Sequence, residues 1–102
     1  MTRPFQIYDS GTPLVFDGNE AVCFIVNLRN NVKTARVKNI APGARYTFVI
    51  HQDSLGQHTF AWPSKCENAM MVDPAANATT VQSFIGTTGG MLLADIPATW
   101  TK

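Results

Sequence analysis

The chain has 102 residues, 45% of them hydrophobic and only 15% charged, with a formal net charge of +1. That length suits one core and leaves no room for a second domain with its own cleft; a neutral, charge-poor surface suits association with other proteins better than nucleic-acid binding. No run is apolar over the ~18 residues a membrane span requires, and Met1-Thr2-Arg3-Pro4 leads into no signal-like stretch, so synthesis and retention in the cytoplasm are expected.

Short period-two segments separated by turn residues run the length of the chain, with no helical stripe longer than two turns. This predicts an all-β protein, a single domain over residues 1–102 built as a β-sandwich or jelly roll of short antiparallel strands, with an N-terminal arm (1–13) and a C-terminal tail (97–102). Phe5-Gln6-Ile7-Tyr8 and Pro13-Leu14-Val15-Phe16, bracketed by Asp9-Ser10-Gly11 and Asp17-Gly18-Asn19, form either an early hairpin or an arm. Residues 21–28 place Val22, Phe24, Val26 and Leu28 on one face and Ala21, Cys23, Ile25 and Asn27 on the other; both faces are largely apolar, as in a central strand. Residues 32–40 follow as a strand with one wet side, where Lys33, Arg36 and Lys38 interleave with Ala35 and Val37. Ala41-Pro42-Gly43 is a turn, because Pro fixes one φ and Gly supplies the positive φ that type II geometry requires.

The next pattern predicts a hairpin. Tyr46, Phe48 and Ile50 alternate on one strand and His58, Phe60 and Trp62 on the other, and pairing Ile50 with His58, Phe48 with Phe60 and Tyr46 with Trp62 keeps the rings on one face. Beyond it, residues 66–77 are a long connection with a short apolar piece at Met70-Met71-Val72. The three-residue step from Val81 to Phe84 within residues 79–85 breaks alternation and points to a bulge. Gly86-Thr87-Thr88-Gly89-Gly90 is a turn, and residues 91–96 close the sheet.

No motif with catalytic spacing is present, and neither an enzyme activity, a cofactor nor a metal is expected. Cys23 and Cys66 lack metal-ligand spacing; free thiols are the expectation, with a disulfide between them left open. In the inferred register His51 and His58 point to opposite faces, so they share no ligand. Asp9, Asp17, Glu20, Asp53, Glu67, Asp73 and Asp95 fall mostly in turns, where aspartate bonds its own backbone. Charge is uneven in one place: Arg29, Lys33, Arg36, Lys38 and Arg45 lie in a stretch with no acid between Glu20 and Asp53. A solvated strand face is favoured there, ahead of a docking surface for an acidic protein and of a nucleic-acid footprint, since the nearby aromatics alternate as a core. Trp100, beyond Pro97, either folds back or inserts into a neighbouring subunit, and the second is preferred. These five cations and Trp100 are the expected partner-binding residues.

The run from Pro42 through Tyr46-Thr47-Phe48-Val49-Ile50-His51-Gln52-Asp53, followed by Gly56-Gln57-His58-Thr59-Phe60-Ala61-Trp62-Pro63, resembles a β-module of virion proteins in tailed bacteriophages. Ala76-Asn77-Ala78 leading to Val81 and Phe84, then Gly89-Gly90, is similar to the module's downstream order; Met91-Leu92-Leu93 departs from it, since the family often carries an aromatic there. The resemblance implies a virion structural protein. A module of this length fits a capsid decoration or cement protein, a homo-oligomer such as a trimer, bound to the major capsid protein or another virion protein at the capsid surface, with the terminal segments as clamps. The alternative is a tail-fibre or baseplate module that binds host glycans through Trp62, Trp100 or Tyr46.

Overall fold

A computed structural model describes residues 5–9, 14–67, 69, 71–94 and 99–101, the last three by their backbone alone. It is all-β: Gln6–Asp9 (β1), Leu14–Asp17 (β2), Cys23–Leu28 (β3), Ala35–Lys38 (β4), Arg45–Gln52 (β5), Cys66–Glu67 (β6), Thr79–Gly86 (β7), Leu92–Ala94 (β8) and Thr99–Thr101 (β9), with one 3-10 turn at Thr88–Gly90.

The first half of the chain winds as a coil. Strands alternate between two layers, and each lies parallel to the strand two before it: β1 beside β3, β3 beside β5, and β2 beside β4. The larger sheet runs β1-β3-β5-β7-β8-β6, with β9 also on β7, and the smaller is the β2–β4 ribbon. Among the described residues antiparallel pairing enters only with β7, which pairs with β5, β8 and β9. The expected wholly antiparallel jelly roll is therefore corrected to a mixed, solenoid-like arrangement. Continuous apolar runs are the signature of parallel strands buried on both faces, and β3, with Phe24, Val26 and Leu28 buried and Cys23, Ile25 and Asn27 half-buried, occupies the central position expected of it.

Stacking the coil places inward side chains rung upon rung. Registry aligns Gln6, Phe24, Phe48 and Gln82 in one row, and Tyr8, Val26, Ile50 and Thr80 in the next. The ribbon closes over them: Phe16 of β2 packs 5.3 Å from Phe24 and edge-on to Tyr8 and Phe48, at 4.8 and 5.0 Å between ring centroids. Phe48 in turn meets Trp62 and Phe84 edge-on. Edge-to-face rings contribute about 0.5–1.5 kcal/mol per pair beyond their burial, so this cluster ties both layers together.

Several further expectations change. The Tyr46–Trp62 hairpin is absent: β5 is flanked by β3 and β7, and residues 57–63 touch the ribbon layer instead through one parallel bridge, Val32 with Phe60. The rings still share one core, with Tyr46, Phe48 and Phe60 buried and Trp62 packed against them. No early hairpin forms, since β1 and β2 lie in different sheets. Val22 precedes β3 and is exposed. The bulge at residues 81–84 is also absent, for β5 and β7 pair without a break from Arg45 with Ile85 to His51 with Thr79. Alternation was hidden because Thr80 and Gln82, both polar, take inward positions. Part of the expected tail is strand β9; residues 95–98 and 102 lie outside the described residues, as do 1–4 and 10–13 of the expected arm. The turn at Pro42 is confirmed, with Gly43 at φ 81° and the Ala44 N–H donating to the Ala41 carbonyl at 3.2 Å.

Replacing the central ring tests this packing. Phe48→Ala is expected to cost about 3–5 kcal/mol in urea denaturation, whereas Leu55→Ala, at a side chain 78% exposed, stays within about 0.5 kcal/mol.

Candidate functional site

The fold divides the expected basic set. Arg36 and Lys38 project from the same exposed side of β4, and Lys33 lies just before that strand, also exposed. Arg29 follows β3 and Arg45 opens β5; because these strands are parallel, the two arginines sit at opposite ends of the large sheet. Arg29 lies 3.7 Å from Asp9 and Lys38 lies 3.8 Å from Asp17. The first pair is solvent-exposed on both sides and the second on the lysine's side, contacts of the kind that add little stability.

What the fold adds is Lys65. After Phe60 the chain passes Pro63, Ser64 and Lys65 beside β4, and with Ala35, Arg36 and Val37 these residues line a groove of about 210 Å³. Sequence spacing gave no sign of it, because Lys65 lies far from the basic stretch and just ahead of Glu67. Trp100 is on β9 opposite Thr80; its side chain lies outside the description. Of the glycan-binding candidates, Tyr46 is 2% exposed, with its hydroxyl accepting the Ala41 N–H at 3.0 Å. Trp62 packs edge-on against Phe48, Phe60 and Phe84.

The Gln-Asp-to-Gly turn is a self-contained scaffold. Asp53 Oδ1 accepts the N–H groups of Leu55 and Gly56, both at 3.0 Å, and lies 3.0 Å from His58 Nε2. Buried Gln52 donates to the carbonyls of His58 and Asp73 and accepts the His58 N–H. Gly56, at φ 69°, sits where a Cβ would come within 2.7–2.8 Å of the backbone of Pro74 and Ala76. His51 is engaged elsewhere, its Nδ1 2.7 Å from Thr79 Oγ1. The histidines thus serve separate contacts, and among the described residues no three His, Cys, Asp or Glu side chains converge as metal ligands. Both cysteines are free. Burial pushes the Cys66 thiol up to about 12 and raises that of Cys23, which leaves both as poor nucleophiles.

The outer face of the large sheet is the remaining surface. Registry lines up Ile7, Ile25, Val49 and Val81 across β1, β3, β5 and β7. Polar pairs border the row, Thr47 with Ser83 at 3.1 Å on one side and His51 with Thr79 on the other. At the β1 end the row is open, with Ile7 56% and the neighbouring Phe5 49% exposed.

Comparison with protein families, with curated proteins and with solved structures returns no match to this chain. Function therefore has to follow from these surfaces. They offer backbone edges, an apolar row and a basic groove, which are the elements of recognition by contact.

The Asp53 turn makes acid stability a test. Desolvation pushes its carboxyl upward, yet the Gly56 N–H, His58 and the Leu55 N–H together outweigh it and hold the group below its ordinary 3.8. Asp17 is lowered too, chiefly by the Asn39 side chain and the Asn19 N–H. A depressed native pKa contributes stability that is complete above the unfolded value and lost as pH falls through the native one. The urea midpoint should accordingly fall as pH drops below 3.8, and Asp53→Asn should lower the midpoint at neutral pH and flatten that decline. An unchanged acid limb in the variant would remove Asp53 from this role.

Proposed function

We propose that the protein is a structural β-module that works by docking on other proteins, and that its setting is the head of a tailed bacteriophage, where it acts as a decoration or cement protein. The observation that carries the docking reading is the apolar row Ile7, Ile25, Val49 and Val81, open at an edge strand. Apolar surface continuous with an unpaired edge favours a protein neighbour. The phage setting is supported by the resemblance carried by residues 42–63, and the major capsid protein as partner, the homo-oligomeric state and the capsid-surface location belong to the same proposal. In this reading the ribbon facing the large sheet stands in for the second layer of a β-sandwich. Phe16, Phe24, Tyr46, Phe48, Phe60 and Phe84 are buried, with Tyr8 and Trp62 packed against them, and the half-exposed Phe5 belongs to the docking row.

A clamp of this kind stabilises the assembled lattice by binding it, so its effect saturates with occupancy. Particles carrying the protein are expected to rupture at a higher temperature than stripped particles. Ile7→Lys should cut particle occupancy about tenfold while shifting the isolated protein's stability by no more than about 0.5 kcal/mol. Equal rupture temperatures with and without bound protein would defeat the proposal.

A further inference from the structure

The groove beside β4 has a property that the basic side chains alone do not convey: its floor is a strand edge that, among the described residues, has no pairing partner. In a parallel ladder each residue turns its N–H and C=O to the same side, and successive residues alternate. The bonds from Leu14 N–H to the Thr34 carbonyl (3.3 Å) and from Gly18 N–H to the Lys38 carbonyl (2.9 Å) set the phase. Thr34, Arg36 and Lys38 face β2, so Ala35 and Val37 turn their backbone groups the other way, towards the groove they line. Just upstream, before β4 begins, Val32 donates to Thr59 at 2.8 Å and accepts from Ala61 at 2.9 Å. Pro63, Ser64 and Lys65 then lie across the groove from β4, and among the described residues none pairs with Ala35 or Val37 on this side.

The charge around this gap is of one sign. Arg36 and Lys65 line it, Lys33 precedes it, and among the described residues no carboxylate lies within ion-pair distance of any of the three. Among the described residues none that lines the groove is acidic. An alternating row of amide donors and carbonyl acceptors complements a polypeptide backbone and not a phosphodiester or a sugar. Unpaired cations on its rim call for carboxylates, which an arginine fork takes with two bonds. A second copy of this chain is a poor occupant, because its seven acids are scattered singly along the sequence.

We propose that the free edge of β4 is a docking site for an extended, acidic segment of a partner protein, which adds as a strand beside Ala35 and Val37 with its carboxylates on Arg36 and Lys65. The site is separate from the row that ends at Ile7, and it stands whether or not the protein belongs to a virion.

A fluorescein-labelled peptide of alternating glutamate and valine, titrated against the full chain and followed by anisotropy, tests this. Saturable binding is expected, with the amide signals of Ala35 and Val37 shifting in two-dimensional NMR spectra. The double variant Arg36→Glu, Lys65→Glu should weaken it about tenfold or more; both side chains are exposed, and an unchanged urea midpoint verifies that the variant folds. The same peptide with proline in place of every valine keeps the charge and cannot pair as a strand, so it should not bind. Ile7→Lys should bind the peptide like the parent chain, which separates this site from the capsid-docking row. No saturable binding, equal binding by the double variant, or equal binding of the proline peptide would overturn the proposal. Tighter binding of a single-stranded oligonucleotide at Ala35 and Val37 would do the same.

Discussion

The structure depends on the stacking of inward rings between successive turns of the coil. Phe24 and Phe48 occupy adjacent rungs at one level, 5.1 Å apart, and Phe16 reaches across from the other layer to touch both. This contact sets two things at once. It fixes the register of β1, β3 and β5, since a one-residue slip would turn an entire strand's apolar set outward; it also fixes the spacing between the sheet and the ribbon. The position of β4 follows from that alignment through its ladder with β2, and the outer row from the register it imposes on β1, β3 and β5.

The sequence's alternation told which side chains point inward and was silent about which strands are neighbours. Tyr46, Phe48, Phe60 and Trp62 were recognisable as core, and they are, but a period of two is the same for an antiparallel hairpin and for parallel rungs of a coil. The nearest compatible segment in sequence, residues 58–62, was therefore the natural partner for β5. In the fold it is displaced by β3 and β7, which offer longer runs of in-register contact. The polar residues misled in a similar way. Gln82 and Thr80 face the core, so β7 showed no clear alternation until its partner was known; their amide and hydroxyl are bonded, Gln82 to the Ser83 carbonyl and Thr80 to the Asp73 N–H, which makes the inward position tolerable.

The candidate surfaces were legible to different degrees. Five cations without an intervening acid announced a basic region, yet sequence distance said nothing of its division between β4 and the two ends of the large sheet. Lys65 joins Arg36 only because the bridge at Val32 and Phe60 leads the following residues past β4. The turn after Gln52 was visible as a string of residues and gained its reason in space. Gln52 ties two loops together through its amide, Asp53 folds the backbone onto itself, and Gly56 is confined where a side chain would strike the chain at Pro74 and Ala76.

The edges of the fold are protected unequally, and the difference bears on function. An unpaired strand is a template for foreign strands unless it is short, charged or covered. β6 has two residues, and the β4 edge is flanked by cations that repel a copy of itself. β1 is longer, carries Ile7 in the open, and has a charge only at Asp9, which is engaged by Arg29. Its inward side is unfinished as well, for Oε1 of Gln6 is buried with no hydrogen-bond partner among the described residues, a condition that costs about 1–3 kcal/mol. A terminal rung that is apolar outside and polar and unsatisfied within is a weak end for a coil left alone, whereas beside a neighbouring chain both features become contacts. That asymmetry is what supports the proposal that the protein works beside a neighbouring chain.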